Sequence, residues 1–118
     1  MIRVDIALAE DSLLKEFLVE GHSGFSLKGT DIVCAAASAL VRTFLELNEA
    51  EPGVAALQGT EKEGRTEWTL ESVDPQAYSR YEAWSWFLLR GLEDLAREFP
   101  DHVKIQYRRH TGRSFHGS

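Results

Sequence analysis

Hydrophobic and polar positions alternate from the first residues of the chain. Ile2, Val4, Ile6 and Leu8 are separated by Arg3, Asp5 and Ala7. A period of two predicts a strand with one buried face. Ala9 to Ser12 is turn-like, and Lys15 to Gly21 predicts a second strand with Phe17 and Val19 on one side. The two strands therefore form an antiparallel hairpin. Residues 22–30 hold Gly24 and Gly29 and no periodicity, which predicts a loop.

The period then changes. From Thr30 or Asp31, either of which can cap a helix, Val33, Ala37, Leu40, Phe44 and Leu47 recur at spacings of three and four. This predicts a helix to about Leu47, ended by the stretch from Asn48 to Gly53. Residues 54–58 and 66–70 read as a second hairpin around Gly59 to Gly64, with Thr66, Trp68 and Leu70 on one face. Asp74-Pro75 is a helix start, a capping carboxylate followed by proline in the first turn. Tyr81, Trp84, Leu88, Leu92, Leu95 and Phe99 carry the inner stripe of that helix, and Pro100 stops it. Trp86, Phe87 and Leu89 fall outside the stripe, a surplus apolar face suited to a dimer interface or a peptide groove. Val103, Ile105 and Tyr107 make a last strand, and Arg108 to Ser118 reads as a frayed basic tail.

The order is ββαββαβ. It implies an α+β fold, one antiparallel or mixed sheet covered by two helices, in a single domain over 1–107. At 118 residues the chain has room for one hydrophobic core and not two. Its net charge of −6 argues against direct nucleic-acid binding. The lack of a membrane-length apolar run, and Asp5 where a signal peptide would be apolar, predict a cytoplasmic protein without a membrane partner. One cysteine cannot make an internal disulfide. His102, His110 and His116 have no metal-ligand spacing with it, and there is no glycine-rich phosphate loop, so no cofactor is implied.

That cysteine, Cys34, falls in the first turn of the first predicted helix, twelve residues after His22. Unpaired amides and the positive end of the helix dipole favour a thiolate there, and a nearby imidazole can activate it. The same amides can hold a developing oxyanion. The plainer alternative is a small buried hydrophobe. His22 is either a solvated loop histidine or the general base. Asp31 is a helix cap or the third member of a triad that orients His22. Ser38, one helical turn after Cys34, lines the site or bonds back to the Cys34 carbonyl; the second is favoured.

Gly21-His22, then Asp31-Ile32-Val33-Cys34-Ala35-Ala36, then Ser38-Ala39-Leu40, resembles the signature of the bacterial ribosomal-processing cysteine protease family. Ser23 and Ala37 stand where that family carries alanine and valine, and neither change touches the catalytic pair. The resemblance implies a cysteine endopeptidase that removes the N-terminal extension of a large-subunit ribosomal protein. It places the catalytic dyad on His22 and Cys34, with Asp31 and Ser38 matching supporting positions. It also implies an α+β homodimer and a loop that moves over the site, here the one bearing Gly24 and Gly29. The competing reading is a noncatalytic ribosome-associated binding module in which Cys34 is buried and structural.

Overall fold

The computed structural model describes residues 1–21 and 31–110. Its elements are β1 (Ile2–Leu8), β2 (Leu14–Gly21), α1 (Ile32–Ala50), β3 (Ala55–Lys62), β4 (Arg65–Val73), a 3-10 turn (Pro75–Ala77), α2 (Tyr78–Glu98) and β5 (Val103–Arg109). The predicted order ββαββαβ is the observed one. The strands form one mixed sheet in the order β3-β4-β2-β1-β5. Both hairpins are antiparallel, and so is the β2–β4 pair that joins them. β5 runs parallel to β1 at the edge of the sheet, and α2 carries the chain there from β4, across the sheet.

Alternation along each strand sends Ile2, Val4, Ile6, Phe17, Leu70 and Val103 into one core with the inner faces of both helices. Phe44 of α1 is at its centre, edge-on to Phe17 at 5.8 Å and to Tyr81 at 6.0 Å. Truncating a buried aromatic of this kind costs about 3–5 kcal/mol. The buried stripe of α1 is Val33, Ala37, Val41, Phe44 and Asn48, so Leu47 is not the inward residue expected. Asn48 takes that place because its Nδ2 donates back to the Phe44 carbonyl at 2.9 Å, which reduces the cost of its burial.

Two further expectations change. The second hairpin turns at Glu63-Gly64, with strands extending to Lys62 and from Arg65, so Gly59 is inside β3. A Cβ there would be 2.1 Å from the Glu67 carbonyl oxygen, so this glycine serves a close backbone approach and not a turn. β5 continues through Arg109, and the His110 amide donates to the Leu8 carbonyl at 2.8 Å. Residues 108–110 are thus docked on the sheet and are not the start of a frayed tail; residues 111–118 lie outside the described residues. On α2, Leu89 packs against the core, whereas Trp86 and Phe87 are 67% and 70% exposed.

The sheet face away from the helices is not simply a solvated surface. Glu16, on the central strand β2, is fully buried there. Its carboxylate is 3.0 Å from His110 Nδ1 and 3.7 Å from an Arg108 guanidinium nitrogen.

Candidate active site

The site is assembled where α1 begins beside the ends of β1 and β2. Asp31 has extended backbone, φ −77° and ψ 101°, and its Oδ1 accepts from the amides of Val33 and Cys34, both at 3.0 Å. Its carbonyl accepts from the amide of Ala35 at 3.1 Å. Asp31 is therefore an N-cap and Cys34 is the third helical residue, while the reading in which Asp31 orients His22 falls outside the described residues. The cap also changes the expectation for the first turn. The Val33 and Cys34 amides are occupied by a carboxylate oxygen, so they do not stand open as oxyanion donors in this arrangement.

Cys34 is half-buried and lines a groove of about 460 Å³. The floor is apolar, from Ile2, Val19, Ala37 and Val41. Ser38 and Arg42 follow Cys34 at intervals of one helical turn and form one wall. Residues 61–66, around the turn of the second hairpin, form the other. Ser38 thus has a place in the groove beside Cys34, the lining position that was the less favoured of its two readings.

The strand that leads to His22 ends in the same groove. Gly21 lines it, with φ +96°, a left-handed conformation that side-chain-bearing residues rarely adopt. A Cβ on Gly21 would also be 2.3 Å from the Met1 carbonyl oxygen. The Gly21 amide donates to the Gly64 carbonyl at 2.8 Å, tying the strand end to the hairpin turn. His22, Gly24 and Gly29 lie outside the described residues, and with them the expectation of a moving loop.

Sequence reasoning missed the wall from Glu61 to Arg65, because only the pairing of β2 with β4 brings that turn to Cys34. Arg42 had a readable signal, since it follows Cys34 by eight residues and Ser38 by four.

Residues 1–104 match the sequence profile of the family described as cysteine protease Prp. The chain is 25% identical over 107 residues to the ribosomal processing cysteine protease Prp of Bacillus subtilis (strain 168), covering 89% of this chain and 96% of that protein. A crystal structure of the essential ribosomal processing protease Prp from S. aureus, in complex with a covalently linked product peptide, superposes with a TM-score of 0.81 at 19% identity. The match spans 92% of this chain and 100% of that one. SMU.848 from Streptococcus mutans superposes with a TM-score of 0.74 at 24% identity, over 93% of this chain and 96% of that one. A profile match across nearly the whole chain, with the same fold beneath it, makes this protein a member of the cysteine protease Prp family.

Proposed function

We propose that this protein is the endopeptidase that removes the N-terminal extension of a large-subunit ribosomal protein, with Cys34 as nucleophile and His22 as its base. One observation carries the assignment of roles: Gly21, the residue directly before His22, lines the same groove as Cys34. The S. aureus relative has been solved with a substrate peptide as well as with a covalently linked product peptide, which supports a peptide substrate for this groove.

In this reaction the Cys34 sulfur attacks the scissile carbonyl carbon after its proton passes to His22. The resulting imidazolium returns that proton to the leaving amine as the C–N bond breaks and a thioester remains. Water, deprotonated by His22, then hydrolyses the thioester and frees the thiol. Asp31 supports the chemistry by capping the turn that presents Cys34, and Ser38 by lining the groove. The apolar floor fits an apolar substrate side chain beside the scissile bond.

The working form is a homodimer in the cytoplasm, without a nucleic-acid or membrane partner. Trp86 and Phe87, exposed side by side on α2, are the surface that a symmetric contact would bury. No described helix is long and apolar enough to cross a membrane. Light scattering at micromolar concentration gives about twice the 13.3 kDa chain mass; a monomer there removes the dimer from this reading.

The noncatalytic module predicts a cysteine sealed in the core. A half-buried Cys34 on a groove wall favours the enzyme. Iodoacetamide labelling of the native protein discriminates the two. The enzyme labels at Cys34 in the native state, and more slowly in His22→Ala. A thiol that reacts only after unfolding, with no dependence on His22, overturns the assignment.

A further inference from the structure

Three strands meet at Glu20, the residue before Gly21. Arg3 of β1 and Arg65 of β4 stand directly opposite it in register, one on each side. Both guanidinium groups are ion-paired to the Glu20 carboxylate. Each arginine also holds a second acid: Arg3 takes Asp5 at 3.1 Å and Arg65 takes Glu67 at 3.0 Å. The result is an unbroken chain of alternating charge, Asp5–Arg3–Glu20–Arg65–Glu67, across the end of the sheet.

Its location gives this chain of charge a consequence for the groove. Glu20 and Arg65 are the last paired residues between β2 and β4. Beyond them, the tip of the second hairpin is joined to β2 by the Gly21 amide and the Gly64 carbonyl at 2.8 Å. Gly64 and Arg65 are groove residues, facing the wall of α1 that carries Cys34, Ser38 and Arg42. The position of that wall is therefore set where Glu20 holds Arg65. An isolated exposed ion pair contributes little, but Glu20 is only 23% exposed at its side chain and is engaged by two cations within a five-residue network.

We propose that Glu20 is a positioning residue for peptide binding: by bridging Arg3 and Arg65 it holds the hairpin wall at the distance from α1 that an extended peptide requires. This rests on the protease reading for the identity of the peptide, and on the groove alone for the rest. Glu20 makes no contact with the reacting atoms. Its effect falls on affinity and leaves the nucleophile unchanged.

The test separates the two. A fluorescent peptide of the N-terminal extension encoded in the same genome is titrated against Cys34→Ala protein, in which binding is measured without turnover. The same titration is made with Glu20→Gln and, separately, Arg3→Gln added, at low and high salt. Both second substitutions weaken binding by about fivefold at low salt, the scale of a partly exposed ionic network, and the difference narrows at high salt as screening takes over. In otherwise wild-type protein, Glu20→Gln raises KM in the same proportion, while kcat and Cys34 labelling by iodoacetamide stay within about twofold of wild type. Unchanged peptide affinity in both variants overturns the proposal, as does the absence of any binding. A fall in labelling and kcat with affinity intact also overturns it, since Glu20 would then act on the nucleophile. Binding without cleavage by the wild-type protein would end the protease reading and leave this inference standing.

Discussion

The amide of Cys34 donates to the carboxylate of Asp31 at 3.0 Å, so the nucleophile candidate and the helix cap share a hydrogen bond. The same oxygen takes the Val33 amide, which makes Asp31 the residue that fixes the first turn of α1. Asparagine can accept the same two bonds without the charge, and alanine cannot. Asp31→Ala is expected to lower stability by about 1 kcal/mol, whereas Asp31→Asn stays within a few tenths of wild type. Turnover follows the cap, largely kept in Asp31→Asn and reduced in Asp31→Ala. Urea unfolding alongside peptide cleavage checks this. An Asn variant that is stable but inactive would move Asp31 from a capping role to a catalytic one.

Gly21 supplies a contrast that needs only a stability measurement. Its φ of +96°, and the Met1 carbonyl oxygen 2.3 Å from where a Cβ would stand, leave no room for alanine. Gly53, by contrast, has nothing within 4 Å of the corresponding position. Gly21→Ala should cost about 2 kcal/mol, in line with other strained backbone sites. Gly53→Ala should fall within about half a kcal/mol of wild type. Equal effects of the two substitutions would contradict the packing described at the end of β2.

The sequence was legible where one local pattern decides the outcome. The alternation of Ile2, Val4 and Ile6 and the cap at Asp31 each settle an element without help from the rest of the chain. Asp74 accepts from the Gln76 amide at 2.9 Å, but it caps the 3-10 turn Pro75–Ala77, and α2 itself begins at Tyr78, after Ala77, without a side-chain cap. Gly59 misled because a glycine in a turn and one in a crowded strand look alike in sequence, and only Trp68 across the ladder separates them. Leu47 and Asn48 misled because polarity pointed away from the true inward position. The Cys34 end of the site was readable from a helix-start pattern. The opposite wall was not, since residues 61–66 reach Cys34 only through the pairing of strands distant in sequence.

Glu16 predicts an asymmetry. A fully buried acid on the central strand faces two partly exposed groups, the Arg108 guanidinium and the His110 imidazole. Removing both partners weakens the hold on a buried acid, an effect on the order of a few kcal/mol, whereas replacing the acid by leucine leaves two groups able to reach water and costs far less. Arg108→Ala/His110→Ala should therefore unfold at much lower urea concentration than Glu16→Leu. The reverse order would show that Glu16 is not held by the end of β5.

A pH effect follows from the contact between the first turn and α2. The Tyr78 hydroxyl donates to Asp11 Oδ2 at 2.8 Å, and the Leu13 amide donates to Oδ1 at 3.1 Å. These bonds hold the Asp11 carboxyl below its ordinary value, and the same carboxylate pushes the Tyr78 phenol up to about 12. The depressed carboxylate contributes stability above its unfolded pKa and loses it as pH falls through the folded value. The raised phenol contributes below its own unfolded pKa and loses it on the alkaline side. Tyr78→Phe should thus be less stable than wild type between roughly pH 5 and 9, with the difference closing below about pH 4. Urea unfolding of both proteins across that range checks it, and a difference that widens in acid would contradict the contact.

Cleavage of an extended ribosomal protein by Cys34 can be read from the substrate itself by mass spectrometry. The full-length large-subunit protein from the same genome is incubated with wild type, His22→Ala and Cys34→Ala, and its N-terminus is read over time. A single shortened product is expected with wild type, a rate lower by on the order of a hundredfold with His22→Ala, and an intact N-terminus with Cys34→Ala. The same shortened product appearing at the wild-type rate with Cys34→Ala would contradict the role of Cys34 as nucleophile.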